Sequence, residues 1–221
     1  MGLVVHESSA KPISSEIIDA FREIPVSDIG HIQQFGFMDT GIRPTWRNVR
    51  MVGPAFTVRI PSMNSGVSRE VVKRAKPGDV LVIDRGGDTE ISCWGGVVAL
   101  LAKVKGIEGL VADGAVNDVL EFEALEWPVF SRTVSALLGR PLGLEAEINT
   151  TVSCGGVAVS PGDLICADDD GVLVIRPWEV EELLRACQER FGHVPDIRQW
   201  IRDGKDLREY PNARQFFSEE S

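Results

Sequence analysis

The chain has 221 residues, of which 43% are hydrophobic and 25% are charged, as in ordinary globular proteins. Its formal net charge of −10 disfavours nonspecific binding to nucleic acid or to anionic membranes, because phosphate contacts require a basic surface. No apolar run approaches the roughly 20 residues that span a bilayer, and the first residues lack the pattern of a secretory signal. We therefore expect a cytoplasmic protein with no nucleic-acid and no membrane partner.

Cysteine and histidine give little sign of metal or redox chemistry. The four cysteines have no C-x-x-C spacing and are expected to be reduced: Cys93, Cys154, Cys166 and Cys187. Core packing is the expected role of Cys166 and Cys187, whereas Cys93 lies close to the candidate site described below. The histidines form no ligand pattern: His6, His31 and His193.

The first third of the chain predicts two helices, a strand and a loop. Residues 13–22 have an amphipathic pattern with Ser14 or Ser15 as N-cap, and a short helix follows from Ser27. Residues 55–60 alternate between apolar and polar side chains, which indicates a half-buried strand. Residues 61–66 are rich in turn formers and are expected to be a loop.

Residues 78–118 predict the unit around which the fold is organised. The sequence is GDVLVIDRGGDTEISCWGGVVALLAKVKGIEGLVADGAVND. An apolar strand at 80–83 is expected to stop at Asp84, a helix begins near Gly95, and a second strand at 107–112 is expected to stop at Asp113. This order is typical of a βαβ unit with a right-handed crossover.

The same unit predicts a polar crevice. Parallel strands end at one edge of a sheet, so we expect these charged side chains to lie near one another: Asp84, Arg85, Asp113 and Asp118. The free amides at residues 95–98 would start a helix there and attract an anion. Carboxylates beside an anion cradle indicate a metal that bridges an acidic ligand to the protein. The alternative is that the glycines make tight turns and the aspartates are helix caps.

The second half of the chain predicts smaller elements. Three glutamates are interpreted as a solvated helix face and not as a metal site: Glu121, Glu123 and Glu126. Three short strands are expected at 157–159, 164–166 and 172–175, with a hairpin turn at Asp169-Asp170-Gly171. A helix at 177–191 precedes a helical tail at 191–221. Because no linker interrupts the pattern, we expect one domain over residues 1–221.

Three segments taken in order resemble the RraA-like family: GDVLVID, WGGVVALLAKVKGIEGLVADGAVND and SCGGVAVSPGDLICADDDGVLVI. That family contains the regulator of ribonuclease E and the metal-dependent 4-hydroxy-4-methyl-2-oxoglutarate aldolases, which also decarboxylate oxaloacetate. The resemblance covers about residues 25–190. It implies an α/β fold of the swivelling β/β/α type with mixed sheets, and a homotrimer or hexamer with sites at subunit interfaces.

The resemblance also implies site residues. In the aldolases, the pyruvate carboxylate binds amides at a helix start, which correspond here to Gly95, Gly96, Val97 and Val98. Asp118 matches the aspartate that holds a divalent metal, Mg or Mn. An asparagine of the substrate site is matched near Asn64.

Two departures from the family pattern concern catalysis. Asn117 stands where the aldolases have an arginine, and Gly96 stands where they have an acidic residue. The arginine stabilises the enolate oxygen, and losing such a charged donor typically costs about a hundredfold or more in rate. We expect Arg85, at the end of the neighbouring strand, to be the replacement cation. Glu189 is the candidate for the carboxylate that a neighbouring subunit lends to the site.

These observations leave more than one function open. The first is a metal-dependent lyase that forms a pyruvate enolate from a small 2-oxo acid. The second is a non-catalytic RraA-like regulatory or binding protein with a protein partner, as the loss of the motif arginine at Asn117 favours. A third is altered chemistry on a related oxo acid, because function depends on the residues of a site and not on its fold.

Overall fold

The secondary structure alternates short helices with strands. A computed structural model describes residues 2–8, 10–61, 66–140, 143, 145–191 and 194–210, with the backbone alone at 194–196. The strands are β1 Leu3–Val5, β2 Arg43–Pro44, β3 Met51–Arg59, β4 Val80–Ser92, β5 Gly109–Val116, β6 Val129–Val134, β7 Ala146–Ile148, β8 Val152–Cys154, β9 Val157–Val159, β10 Leu164–Asp168 and β11 Gly171–Ile175. The helices are α1 Ser15–Arg22, α2 Val26–Gly30, α3 Ser68–Arg74, α4 Gly96–Lys105, α5 Val119–Ala124, α6 Val180–Phe191 and α7 Val194–Arg202, followed by a 3-10 turn, Leu207–Glu209.

A nine-stranded mixed sheet forms the centre of the fold. Seven strands lie in the order β1-β7-β3-β4-β5-β6-β2, and β10 joins the sheet through β3 and pairs with β11. The neighbours β3, β4, β5 and β6 are parallel, whereas β10 runs antiparallel to both of its partners. The predicted α/β fold with mixed sheets and a central βαβ unit is confirmed.

The βαβ unit consists of β4, α4 and β5, and it is closely packed. Leu81, Ile83 and Leu110 are fully buried in one cluster with Ala99 and Ala102 of α4. Each large apolar side chain buried in this way contributes about 1.5–3 kcal/mol. Helix α4 ends at Gly106, whose φ of 83° is the left-handed conformation of a helix C-cap.

The predicted ends of the two central strands are wrong. Strand β4 continues past Asp84 to Ser92, and β5 continues past Asp113 to Val116. The pairing becomes irregular after Asp84, because Gly86 and Gly87 adopt φ values of 63° and 75° and push β4 outward as a bulge. Ser92 then returns opposite Ala115 of β5.

Two local signals are confirmed, whereas the start of the second helix is not at Ser27: α2 begins at Val26, after Pro25. Ser14 caps α1 by accepting a hydrogen bond from Ile17 N. The hairpin between β10 and β11 closes with Asp168 opposite Gly171. Among the described helices, none is long and apolar enough to cross a bilayer.

Candidate functional site

A pocket lies where α4 begins, beside the ends of β4 and β5. We call it the α4 pocket; its volume is about 240 Å³, and the residues of chemical interest in its lining are Ser92, Gly95, Gly96, Asn117 and Asp118. Ser92 is the last residue of β4, and Asn117 and Asp118 follow directly after β5. The βαβ topology therefore brings most of the predicted site together.

Asp118 holds the turn from β5 into α5. Its φ of 60° and ψ of 40° are left-handed, a conformation that aspartate tolerates better than most residues. Its Oδ2 accepts a hydrogen bond of 2.9 Å from Gly96 N, so the carboxylate caps α4. This contact is the capping role that the sequence left open. The side chain is exposed and forms no ion pair within the described part of the chain, so it can also bind a cation.

The two glycines at the start of α4 are required by close side chains. A Cβ at Gly95 would lie 2.7 Å from Asp118 Oδ2 and 3.0 Å from Asn117 Oδ1. A Cβ at Gly96 would lie 1.8 Å from Glu121 Oε2. The shortest distance at each position, 2.7 Å and 1.8 Å, is too short for a real contact, so glycine at these positions makes room for the polar side chains beside the start of α4.

Asn117 is oriented by its neighbours. The buried Ser92 hydroxyl donates to Asn117 Oδ1 at 2.6 Å, and the backbone N–H of Asn117 donates to Trp94 O at 3.0 Å. Among the described residues no acceptor is bound to Asn117 Nδ2, which therefore remains as a donor at the pocket. Sequence reasoning missed Ser92, because its position depends on the bulge that returns β4 to the sheet.

Helix α4 presents backbone donors to the pocket. The amides of the first helical turn have no intrahelical acceptor, and the N-terminal end of the helix dipole favours an anion. Asp118 satisfies the amide of Gly96, which leaves those of Val97 and Val98. The anion-binding amides predicted at residues 95–98 are therefore reduced to those of Val97 and Val98, because the amide of Gly96 is already bound by a carboxylate.

Arg85 is not brought to the α4 pocket. Its side chain is fully buried, with Nη2 3.0 Å from Asp88 Oδ2 and Nη1 donating to Pro61 O at 3.0 Å. It neutralises Asp88 inside the β4 bulge, so it cannot act as the replacement cation. Asn64 lies outside the described residues, and Glu189 lies on the exposed face of α6.

Asp84 and Asp113 belong to a different group of side chains. We call it the arginine-paired cluster: Asp84, Asp113, Arg59 and Arg132, beside a cavity of about 570 Å³. Arg132 Nε pairs with Asp113, and this hydrogen bond raises the pKa of the guanidinium. Asp84 Oδ2 lies 3.4 Å from Arg59 Nε. The expected single crevice is therefore divided into an arginine-paired part and the α4 pocket.

Cys93 lines the α4 pocket but is chemically quiet. The residue is buried, and burial raises the pKa of its thiol to about 11. A thiol that stays protonated near neutral pH is a poor nucleophile. Cys93 and Trp94 both line the pocket. Trp94 is held in place by stacking on Trp127, with ring centroids 6.2 Å apart.

The α4 pocket fits a divalent metal through carboxylate oxygen. Mg²⁺ and Mn²⁺ prefer oxygen ligands, and Mg²⁺ is commonly held by one or two carboxylates together with substrate and water oxygens. Asp118 offers such a carboxylate at an exposed position. Across the described ranges, no three His, Cys, Asp or Glu side chains converge on one point, so a cage made entirely of protein ligands is not present.

The fold is that of an α/β protein with a candidate ligand site at a βαβ crossover. The family model described as RraA-like, Aldolase/RraA, matches residues 14–174. The chain belongs to the RraA-like family, as the resemblance predicted.

Several relatives share most of the chain. A Halalkalibacterium halodurans protein named "Putative 4-hydroxy-4-methyl-2-oxoglutarate aldolase" is 36% identical over 176 residues, which is 79% of this chain and 83% of that protein. An uncharacterized protein of Methanocaldococcus jannaschii is 38% identical over 174 residues, 78% and 83% of the two chains. The structure of Streptomyces coelicolor RraAS2, described as an unusual member of the RNase ES inhibitor RraA protein family, has a TM-score of 0.76 at 23% identity and covers 85% of this chain and 98% of its own. That likeness concerns the fold alone.

Proposed function

We propose that the protein is a metal-dependent lyase of the 4-hydroxy-4-methyl-2-oxoglutarate aldolase or oxaloacetate decarboxylase type. The observation that carries this proposal is Asp118, whose exposed carboxylate lies at the N-terminus of α4 without an arginine partner among the described residues. Curated relatives at 30% identity or more carry the aldolase name. The substrate would be a small 2-oxo acid that yields a pyruvate enolate.

The residues of the pocket have separate tasks in this proposal. Asp118 would hold Mg²⁺ or Mn²⁺, which when bound supplies Lewis-acid polarisation of the 2-oxo group. The amides of Val97 and Val98 would bind the substrate carboxylate at the positive end of the helix dipole. The Nδ2 group of Asn117 would donate a hydrogen bond to the substrate oxygen. Trp94 and Cys93 would exclude water from one side.

Asn117 sets the expected strength of catalysis. A neutral amide offers less stabilisation to a developing oxyanion than the guanidinium of an arginine. The amide is nevertheless preorganised by Ser92 at 2.6 Å, so its donor is not free to turn away. We therefore propose a lyase that is slower than relatives with the motif arginine.

We also propose that the protein assembles as a homotrimer or hexamer. Four apolar residues of α4 are exposed at helical spacing: Val97 at 66%, Leu100 at 48%, Leu101 at 45% and Val104 at 80%. Contiguous exposed apolar surface of this kind marks protein interfaces. Because α4 also begins at the pocket, a subunit packed on this face would lie beside the site. Val104→Lys is expected to lower the mass in sedimentation equilibrium from three or six chains to one; an unchanged mass would contradict this interface.

A second candidate is a non-catalytic regulatory protein. The observation that favours it is the pairing of Arg85 with Asp88, which leaves Asn117 without a guanidinium beside it in the described pocket. Under this proposal, the purified chain inhibits RNA cleavage by purified ribonuclease E and shows no turnover of 2-oxo acids.

The deciding experiment measures pyruvate release with Mg²⁺ or Mn²⁺ from oxaloacetate and from 4-hydroxy-4-methyl-2-oxoglutarate. A protein-free reaction corrects for spontaneous decarboxylation. We expect release above this background by the wild-type chain and none by Asp118→Asn. Glu123→Gln is the matched control, since Glu123 is an exposed glutamate of α5 outside the pocket. Equal turnover by Asp118→Asn and the wild type, or no turnover at all, would reject the lyase.

A further inference from the structure

The side chain of Glu121 lies against the start of α4. Glu121 belongs to the first turn of α5, three residues after Asp118. The space that a side chain at Gly96 would occupy is filled by Glu121: a Cβ there would lie 1.8 Å from Oε2 and 2.4 Å from Cδ. Glu121 is exposed, as predicted for the solvated face of α5, and its carboxylate also lies against the start of α4.

Two carboxylates therefore reach the same residue. Asp118 Oδ2 accepts the Gly96 N–H at 2.9 Å, while Glu121 occupies the position of the missing Gly96 side chain. Neither carboxylate forms an ion pair in the portion of the chain that is described. Like charges held close together repel, and a divalent cation between them would offset that repulsion.

We propose that Glu121 is the second carboxylate of the cation site and holds the same divalent ion as Asp118. This inference rests on the proposed function, because it adds a residue to that site. It also explains Gly96 physically: glycine is the residue that admits the Glu121 carboxylate. The departure from the family pattern at Gly96 would thus be offset by a carboxylate from the next helix.

The test is Mn²⁺ binding by the full chain without substrate, measured as free Mn²⁺ by electron paramagnetic resonance. We expect Glu121→Gln to weaken binding about tenfold or more, as for other groups that support a metal site. Glu123→Gln removes the same charge from the same helix and is expected to bind within about twofold of the wild type. Comparing Glu121→Gln with Glu123→Gln separates direct binding of the cation by Glu121 from the general effect of a negative charge on α5.

Gly96→Ala moves the Glu121 carboxylate without removing its charge. The two closest atoms, Oε2 and Cδ, belong to the flexible end of the Glu121 side chain and can swing away, whereas Glu121 Cβ, at 3.0 Å, has to shift slightly. We expect weakening similar to that of Glu121→Gln, and no further loss in the double variant, because both changes remove one interaction. Circular dichroism and a thermal melt confirm that each variant is folded.

The outcomes distinguish this inference from the proposed function. If Asp118→Asn abolishes Mn²⁺ binding while Glu121→Gln binds like Glu123→Gln, the role of Glu121 is rejected and the proposed site stands. If Asp118→Asn binds Mn²⁺ like the wild type, the proposed function itself fails. Weakening by both Asp118→Asn and Glu121→Gln, with Gly96→Ala following Glu121→Gln, supports the inference.

Discussion

The α4 pocket and the arginine-paired cluster contain carboxylates from the same βαβ unit but use them differently. In the cluster, Asp113 is buried, pairs with Arg132 and accepts Gly155 N at 2.8 Å. In the pocket, Asp118 is exposed and accepts a single amide. The difference shows that a position near the end of a central strand does not make a carboxylate functional. The candidate site differs in that the carboxylate of Asp118 has no cationic partner among the described residues.

The largest expected effect is a difference in stability between a variant of the arginine-paired cluster and a variant of the α4 pocket. Asp113→Ala leaves Arg132 without its main partner and removes the acceptor of Gly155 N, so we expect a loss of about 2–4 kcal/mol in the free energy of unfolding. Asp118→Ala removes only a cap, and we expect a loss of about 1 kcal/mol. Urea denaturation measures both. Equal losses would remove the distinction between the two groups.

The second effect concerns the missing guanidinium. Asn117→Arg places a cation in the α4 pocket, and we expect kcat for oxaloacetate decarboxylation to rise on the order of 100-fold, since a charged donor stabilises the developing oxyanion. Steady-state kinetics with Mg²⁺ measure this change. Asn117→Gln, which is longer but neutral, is the control and is expected to show no gain. If both variants behave alike, charge at this position is not what limits the rate.

The smallest effect concerns the wall of the pocket. The pKa of the Cys93 thiol is raised from 9.0 to about 11 by burial, so the folded chain keeps a proton that the unfolded chain releases. Stability from this residue is therefore full below about pH 9 and falls as the pH rises toward about 11. We expect the cost of Cys93→Ala to be about 1.4 kcal/mol smaller at about pH 10 than at about pH 8. Denaturation of both proteins at the two pH values gives this difference, and a constant cost would mean that the thiol ionises normally.

The features that can be predicted from the sequence are those that depend on residues close together in the chain. Ser14 as a cap, the turn before Gly171 and the βαβ order all follow from local patterns, and the structure confirms them. The ends of β4 and β5 were mistaken, because Gly86-Gly87 reads as a stop when it is a bulge within a continuing strand.

Only the part of the site that lies within one short segment of the chain can be predicted from the sequence. Asp118 and the start of α4 share one short unit, so their proximity follows from the order of elements. The fate of Arg85 depends on burial beside Asp88, and that of Glu121 depends on how α5 packs against α4. Such tertiary contacts produce no repeating pattern in the sequence, so they cannot be predicted from it.

The bulge in β4 has a consequence for how this protein can diversify. The strand leaves the regular register after Asp84, pairs with β5 once more at Asp88 opposite Gly114, and returns with Ser92 opposite Ala115. Arg85 and Asp88 are fixed there by their ion pair, whereas Gly86, Thr89 and Glu90 are exposed, so these three can change while the Ser92 hydroxyl keeps its hydrogen bond to Asn117. The exposed surface of the β4 bulge can thereby change in sequence while the α4 pocket keeps its structure.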